Sequence, residues 1–281
     1  MINKYDQPLR AIARFTLAAT LLIAGCMSGN NQGLQSMPTA GMYNGSATSN
    51  KYQGGAVYGI VSNQNQFGTA TTVVQLVMNF NNQFMGMIAG SLSTTYDTTA
   101  CMAGTDIVSE SPTSLSATSA SVILSNCSWR NGQFSANYAV YKKSGAQMDS
   151  GYLQIAVNQG CTAYPVTVDS LPNGNYQGGI QSCLSTESGV VGGGITNGAA
   201  QLFTNFGESS MIESGLFESS IIVGTANTDY STMLTESVTM GQESGFITPF
   251  YITNINNGSG NVTANYLSYY DYGTLQITVS Q

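Results

Sequence analysis

The residue types that usually carry acid–base or metal chemistry are scarce in this chain of 281 residues. Histidine is absent, which excludes Ser-His-Asp, Cys-His and histidine-ligated metal sites. A serine activated by lysine would need Lys51, Lys142 or Lys143, the lysines beyond residue 25, and no serine is singled out as their partner. We therefore expect a protein that is not an enzyme and that binds no metal ion or other cofactor.

Three glutamates, Glu208, Glu213 and Glu218, lie within a short stretch of the second half. Paired carboxylates catalyse glycoside hydrolysis, and clustered carboxylates can bind calcium. In a strand over Met211–Phe217, however, neither face is cleanly apolar, and no spaced Asp-x-Asp loop supports a calcium site. Scattered solvated charges are the simpler interpretation, and a docking surface for a basic partner is the functional alternative.

Aromatic side chains indicate binding more strongly than the ionisable ones. There are two candidate groups, a tyrosine cluster around Asp271 and a Trp-Arg pair in a predicted turn: Tyr266, Tyr269, Tyr270, Tyr272, Trp129 and Arg130. Such side chains stack on sugars or are buried in protein interfaces. Tyrosine also favours β-strands, so the alternative is that some of these rings point into a core.

The first 25 residues have the pattern of a secretory signal, with three basic residues followed by an apolar run over Phe15–Ala24. That run is too short to span a bilayer. It ends in Leu22-Ile23-Ala24-Gly25-Cys26, which resembles the lipobox of bacterial lipoproteins, with Ile23 in place of the commoner leucine. The resemblance covers the leader alone and implies that Cys26 is the lipid-attachment residue.

Lipid attachment at Cys26 would place the protein on a membrane through its N-terminal acyl chains. Several acyl chains give stable anchoring, where a single chain gives only reversible binding. Met27 follows the cysteine, where an aspartate would be the usual signal for retention in the inner membrane, so an outer-membrane location is expected, on either face. Residues 26–40 are small and polar and are typical of a flexible tether.

Four further cysteines are present: Cys101, Cys127, Cys161 and Cys183. An even number in an exported chain predicts disulfide bonds. Of the three possible pairings we favour Cys101 with Cys127 and Cys161 with Cys183, because each closes a short loop, worth about 3 kcal/mol in stability. A zinc site is the weaker alternative, since the chain has neither a CxxC pair nor a histidine.

The distribution of charge excludes one class of partner. Beyond residue 25 there are four basic and 13 acidic residues, a net charge of −9. Nucleic-acid binding depends on Lys and Arg to neutralise phosphates, so no nucleic-acid partner is expected. All four cations precede residue 144, and nine anions follow between Asp169 and Asp271, so the two halves present different surfaces.

Segments of the first half recur in the second half. Three pairs match in order, at offsets of 133, 128 and 122: Gly41–Gly45 with Gly174–Gly178, Gly132–Tyr138 with Gly260–Tyr266, and Gly151–Gln159 with Gly273–Gln281. Three ordered matches indicate a tandem duplication. The predicted organisation is a signal peptide (1–25), a tether (26–40), a first β domain (41–161), a linker (162–172) and a second β domain (173–281).

Apolar residues within each half alternate with polar ones, which is typical of β-strands. Val74, Leu76, Met78 and Phe80 fall on one face, and Asn81-Asn82 predicts the hairpin turn that follows. The second half contains nine candidate strands, which start near Asn175, Val190, Ala200, Met211, Ile221, Thr232, Phe246, Val262 and Leu275. The predicted fold is all-β, with two tandem related antiparallel β-sandwich or small β-barrel domains.

The glycine run Gly192-Gly193-Gly194 follows a valine and lacks the lysine and helix of a phosphate-binding loop. It is interpreted as a flexible or bulged strand end. No binding role is assigned to it.

These features together predict a non-enzymatic outer-membrane lipoprotein that acts as a structural or accessory subunit of an envelope assembly, such as a secretion-system outer-membrane complex. Low charge with many uncharged polar groups suits strand-edge pairing and packing against partner proteins. The expected partners are the membrane and other envelope proteins. The alternative is a surface or periplasmic lipoprotein that binds a glycan or a small ligand.

Overall fold

The computed structural model describes residues 37–66, 69–80, 84–92, 101–109, 118–165, 169–185, 187–206, 219–225, 231–240 and 243–280. Over these ranges the chain forms sixteen β-strands in two closed antiparallel barrels. The predicted all-β fold of two tandem related domains is confirmed, and both domains are barrels. None of the described segments is a helix of the length and apolar character needed to cross a membrane.

Each strand of the first barrel pairs with its neighbours in chain order. The strands are β1 (Gly41–Ser49), β2 (Gly55–Gln66), β3 (Thr69–Phe80), β4 (Phe84–Leu92), β5 (Met102–Ser109), β6 (Thr118–Arg130), β7 (Gln133–Lys142) and β8 (Gln147–Val157). The barrel closes where β1 pairs with β8, in a register that runs from Tyr43 opposite Val157 to Ser49 opposite Gly151. This is an up-and-down barrel.

The second barrel repeats this order. Its strands are β9 (Gly174–Ser182), β10 (Ser188–Thr196), β11 (Ala199–Asn205), β12 (Ser219–Thr225), β13 (Ser231–Met240), β14 (Glu243–Gly258), β15 (Asn261–Ser268) and β16 (Tyr272–Ser280). Pairing of β9 with β16 closes it. Eight of the nine predicted strands are present, and the one predicted near Met211 lies outside the described residues.

Side chains that alternate along the strands fill the inside of each barrel. Val74, Leu76, Met78 and Phe80 are each at most 1% exposed, which confirms the face predicted for β3. Burial of one such side chain stabilises the fold by about 1.5–3 kcal/mol. In the second barrel Phe250 and Tyr266 stack with ring centroids 5.3 Å apart, so both interiors are packed cores.

Tight turns with positive φ connect three of the hairpins. Asn131-Gly132, Asn197-Gly198 and Ser259-Gly260 each have two successive residues with φ between 50° and 84°. Two-residue turns of this kind match the right-handed twist of the paired strands. The turn predicted at Asn81-Asn82 lies outside the described residues.

A β-bulge recurs in the two barrels. The register of β6 on β7 shifts between Ser125 and Ser128, and that of β14 on β15 shifts between Thr253 and Asn256, 128 residues later. An asparagine in the left-handed region occupies each bulge. Because a bulge bends its strand and increases the twist, its recurrence shows that the two barrels share their curvature as well as their topology.

Both predicted disulfides are present. Cys101, just before β5, is bonded to Cys127 in β6, with the Cα atoms 6.1 Å apart. Cys161, in the connection between the barrels, is bonded to Cys183 after β9, with the Cα atoms 5.4 Å apart. The first disulfide therefore joins neighbouring strands, and the second fastens the connecting segment to the second barrel.

Candidate functional site

The structure places the predicted tyrosine cluster in the protein interior. Tyr266, Tyr269 and Tyr272 have no exposed surface, and Tyr270 is 5% exposed. Buried rings offer no face to a ligand from solution, so the prediction that these four tyrosines form an accessible binding surface is wrong. Tyr266 points into the second barrel, as the alternative held, whereas Tyr272 points outward and is covered by the first barrel.

A buried carboxylate organises the polar groups inside the second barrel. The Tyr266 hydroxyl donates to Oδ2 of Asp271 over 2.5 Å, and the Ser182 hydroxyl donates to Oδ1 over 2.7 Å. The Ser182 oxygen in turn accepts from the backbone N–H groups of Leu184 and Ser185, at 3.1 and 3.0 Å. Burial raises the pKa of Asp271 to about 7, although these hydrogen bonds act to lower it.

The first barrel contains the same arrangement. The hydroxyl groups of Tyr138 and Ser49 donate to the two oxygens of Asp149, each over 2.7 Å. The Ser49 oxygen accepts from the backbone N–H groups of Lys51 and Tyr52, at 3.0 and 2.8 Å. The tyrosine, aspartate and serine stand 128, 122 and 133 residues before their counterparts, the three offsets of the sequence repeat.

Each Tyr-Asp-Ser group lies at the seam where the first and last strands of its barrel pair. Ser49 ends β1, Asp149 is in β8 and Tyr138 is in the neighbouring β7. The two carboxylates are at most 3% exposed, so no substrate from solution reaches them. A buried polar side chain whose hydrogen bonds are all made fixes the register of its strand. We therefore infer that each Tyr-Asp-Ser group holds the first and last strands of its barrel in register.

Two tyrosines join the barrels to each other. Tyr58 of β2 points outward and stacks on Tyr272 of β16, with ring centroids 5.2 Å apart. Its hydroxyl donates to the backbone oxygen of Tyr269. Asn158 donates from its side-chain amide to the Cys183 carbonyl and to the Tyr272 hydroxyl, each over 2.9 Å. Burial raises the pKa of Tyr272 to about 12, so the hydroxyl stays protonated in this contact.

The surfaces that meet in this contact are outer barrel surfaces. The contact surface of the first barrel, which we call face A, consists of outward side chains that are all at most 2% exposed: Met42, Tyr58, Ile60, Val77 and Met87. The contact surface of the second barrel, which we call face B, consists of the side chains of Tyr251, Leu267, Tyr269 and Tyr272. Strand β3 of face A contacts strand β15 of face B.

The connecting segment is also held against the second barrel. The backbone N–H of Tyr164 donates to Oδ1 of Asn265 over 2.8 Å. Its carbonyl accepts from the side-chain amides of Asn254 and Asn265, at 3.0 and 3.1 Å. The side chain of Asp169 accepts from the backbone N–H of Asn257 over 2.8 Å. These bonds fix the path of the chain between the barrels.

Trp129 and Arg130 have separate surroundings. Trp129 is the penultimate residue of β6, and its part-buried ring lies 6.0 Å from the ring of Tyr43, between centroids. It therefore packs on the core of the first barrel. Arg130 is exposed beside the Asn131-Gly132 turn. The pair does not form one binding surface, and only Arg130 is presented to solvent.

The outer surface of the second barrel carries a groove of about 850 Å³. Its lining includes Asn175, Gly194, Gln201 and Phe203. Phe203 is 50% exposed, and a Cβ atom added to Gly192 would lie only 2.4 Å from its Cζ atom, so a side chain at position 192 would displace the ring. The glycine run is mid-strand, in continuous register with β9 and β11, and the predicted bulged strand end is wrong.

Several predicted site residues lie outside the described residues: Cys26, Glu208, Glu213 and Glu218. Among the described residues, no group of three or more Cys, Asp or Glu side chains is placed to hold a metal ion. The Tyr-Asp-Ser groups were not predicted, although the repeat aligns Tyr138 with Tyr266. The repeat match that begins at Gly151 and Gly273 also continues two residues upstream, where it pairs Asp149 with Asp271.

Comparison with known proteins assigns no family. No family model, no curated protein and no solved structure matches the chain. Its function is therefore inferred from the chemistry and packing of the described residues.

Proposed function

We propose that the protein is a non-enzymatic lipoprotein of the outer membrane that acts as a structural or accessory subunit of an envelope assembly. The observation that carries this proposal is the filling of both barrel interiors by packed side chains. Eight-stranded barrels either hold one small ligand or are filled by their own residues. Here the interior positions include Tyr43, Phe80, Phe134 and Phe250, all at most 1% exposed.

The buried polar groups support a structural role over a catalytic one. Both oxygens of Asp271 accept hydrogen bonds, and Ser182 donates its only hydroxyl proton to that carboxylate. A serine bonded in this way has no free base to activate it for attack on a substrate. The same holds for Ser49 and Asp149 in the first barrel.

Association with partners has to use the outer faces of the barrels. Over the described residues each strand has a hydrogen-bonded neighbour on both sides, so the described strands offer no free edge for pairing with a partner. Side chains on the outer surface remain for contact, and this chain already uses two such faces to join its own barrels. A subunit that packs against other proteins through barrel faces fits this architecture.

The proposed anchor is the lipid on Cys26, with residues 26–40 as the tether to the first barrel. Cys26→Ser should abolish labelling by a radioactive or clickable fatty acid and release the protein from membranes. A matched Met27→Asp variant keeps the cysteine and should remain labelled while it moves to the inner membrane. Continued labelling of Cys26→Ser would contradict the anchor.

The assembly role is tested by crosslinking in native membranes, followed by affinity purification in detergent. Reproducible co-purification of stoichiometric envelope proteins is the expected result. The alternative, capture of a glycan or small ligand, would use an outer surface such as the groove beside Phe203. A protein that purifies without partners and binds neutral oligosaccharides would favour that alternative.

A further inference from the structure

The two barrels meet through different faces, although each barrel has an equivalent of both. Face A of the first barrel packs on face B of the second. The contact therefore leaves two surfaces open, the face A of the second barrel and the face B of the first. Contacts between unlike faces of repeated units can continue from one unit to the next.

The strand pairings define the second barrel's face A. Gly59 pairs with Leu76 in the first barrel as Gly193 pairs with Leu202 in the second, which gives offsets of 134 along β10 and 126 along β11. Tyr58 and Ile60 then correspond to glycines, Gly192 and Gly194, and Val77 corresponds to Phe203. The groove of about 850 Å³, whose lining includes Gly194 and Phe203, lies at this position, and the Phe203 ring covers Gly192.

The first barrel's face B follows in the same way. Ile123 pairs with Ala139 as Tyr251 pairs with Leu267, an offset of 128. Tyr152, opposite Asn137, takes the place of Thr274, opposite Asn265. Ile123 is 37% exposed and Tyr152 is 39% exposed. A projecting ring therefore lies beside this face, at a position where the second barrel has a small threonine.

Three of the exposed hydrophobic side chains lie on or beside these two open faces. Among the described residues, five large hydrophobic side chains are exposed: Ile123, Tyr152, Leu184, Val190 and Phe203. Ile123 lies on the open face B with Tyr152 beside it, and Phe203 lies on the open face A. Val190 corresponds to the exposed Ala56, outside face A. Exposed apolar patches of this kind mark protein interaction sites.

Charge also favours contact between unlike barrels. The four cations beyond residue 25 all precede residue 144, in the first-barrel half, whereas residues 169–281 contain nine anions and no cation. The first-barrel half also contains four anions, Asp97, Asp106, Glu110 and Asp149, so its net charge is zero. A second barrel therefore repels another second barrel and does not repel a first barrel.

We propose that a second copy of this chain docks head to tail, with the open face A of one molecule against the open face B of the next. The groove at Gly194, beside the Phe203 ring, would accept Tyr152, and Phe203 would pack against Ile123. The proposal rests on the proposed assembly role and names the partner, a copy of the same chain. Since the two faces differ, the contact can extend into a filament or close into a ring.

The test uses the full-length lipidated chain in detergent and measures mass by sedimentation equilibrium. The wild-type mass should rise with protein concentration. Phe203→Asp and Tyr152→Asp should each be monomeric alone, because each lacks one face. Their equimolar mixture should form a dimer that does not extend, since one intact face of each kind remains. Circular dichroism and thermal unfolding verify that both variants are folded.

Leu184→Asp is the matched control, because Leu184 is 36% exposed but lies in the bend after β9 and on neither open face. It should associate like the wild type. A wild-type chain that stays monomeric to about 1 mM, the weak limit of specific binding, would overturn the proposal. So would a mixture of the two variants that remains monomeric, or a groove that binds chitotriose instead.

The outcome separates this proposal from the function on which it rests. If the chain does not self-associate but other envelope proteins still co-purify with it, only the identity of the partner is wrong. If it self-associates while Cys26→Ser keeps its lipid label and its location, the anchored role is wrong and the head-to-tail contact stands.

Discussion

Asp149 in the first barrel and Asp271 in the second occupy equivalent positions, each between a tyrosine and a serine at the seam of its barrel. The seam is where strands far apart in the sequence must meet in one register. Slippage by one residue would turn every side chain of the strand to the other face. A buried carboxylate with defined donors is satisfied in one register only, which explains its presence in an apolar core.

The first prediction concerns pH and Asp271. Its pKa is raised by burial from 3.8 to about 7, so between these pH values the folded chain holds a proton that the unfolded chain releases. The free energy of unfolding should therefore fall as pH rises from about 4 to about 7, by up to about 4 kcal/mol. Asp271→Asn should flatten this slope in urea denaturation, and Asp169→Asn should retain it. An Asp271→Asn variant with the wild-type slope would contradict the assignment.

The second prediction concerns the tyrosine donors. Tyr138→Phe removes the hydroxyl that donates to Asp149 and leaves a buried carboxylate oxygen with one bond fewer. The variant should be destabilised by about 1–3 kcal/mol. Tyr141→Phe, on the outer face of the same strand, should unfold within about 0.5 kcal/mol of the wild type. Equal losses for the two variants would show that the buried hydroxyl has no special role.

The third prediction concerns the disulfides. Peptide mapping without reduction should recover Cys101 linked to Cys127 and Cys161 linked to Cys183. Replacing the first pair by alanines should lower the free energy of unfolding by about 3 kcal/mol, as expected for a loop of this length. Recovery of any crossed pair, such as Cys127 with Cys161, would show that the connectivity is wrong.

The fourth prediction concerns the contact between the barrels. Tyr58→Ala removes the ring that stacks on Tyr272 and should cost about 3–5 kcal/mol, because the side chain is fully buried. Calorimetry should then resolve two transitions in place of one, since the barrels lose their main contact. Leu184→Ala, at a partly exposed site outside the contact, should leave the unfolding profile unchanged. A single unshifted transition for Tyr58→Ala would argue against a stabilising interface.

Alternation along the chain was enough to predict the strands and their inner faces, as for Val74 to Phe80. Alternation could not distinguish a barrel from a sandwich. A barrel closes when β1 pairs with β8, about a hundred residues away, and a local sequence pattern does not predict that pairing. Nor could it place Tyr58 and Tyr272. An outward position has the same periodicity whether solvent or another barrel covers it.

The buried aspartates were missed for a different reason. Aspartate is rarely buried without a partner, so a lone Asp between tyrosines suggested a surface. The tyrosine and serine that satisfy Asp271 come from strands at both ends of the barrel sequence, and Ser182 is 89 residues away. The Asn-Gly pairs at 131–132 and 197–198, in contrast, carry a local signal for tight turns.

Closure of each barrel by its first and last strands also sets an order of events during synthesis. The edge of β1 stays unpaired until β8 has emerged, and unpaired edges recruit other strands. The first barrel can close while the strands of the second are still being synthesised, so the chain exposes only one incomplete barrel at a time. A stop codon just before β16 would remove nine strand residues and yet leave the edges of both β9 and β15 without partners. Such a truncated chain would be prone to aggregation far beyond what the loss of these nine strand residues suggests.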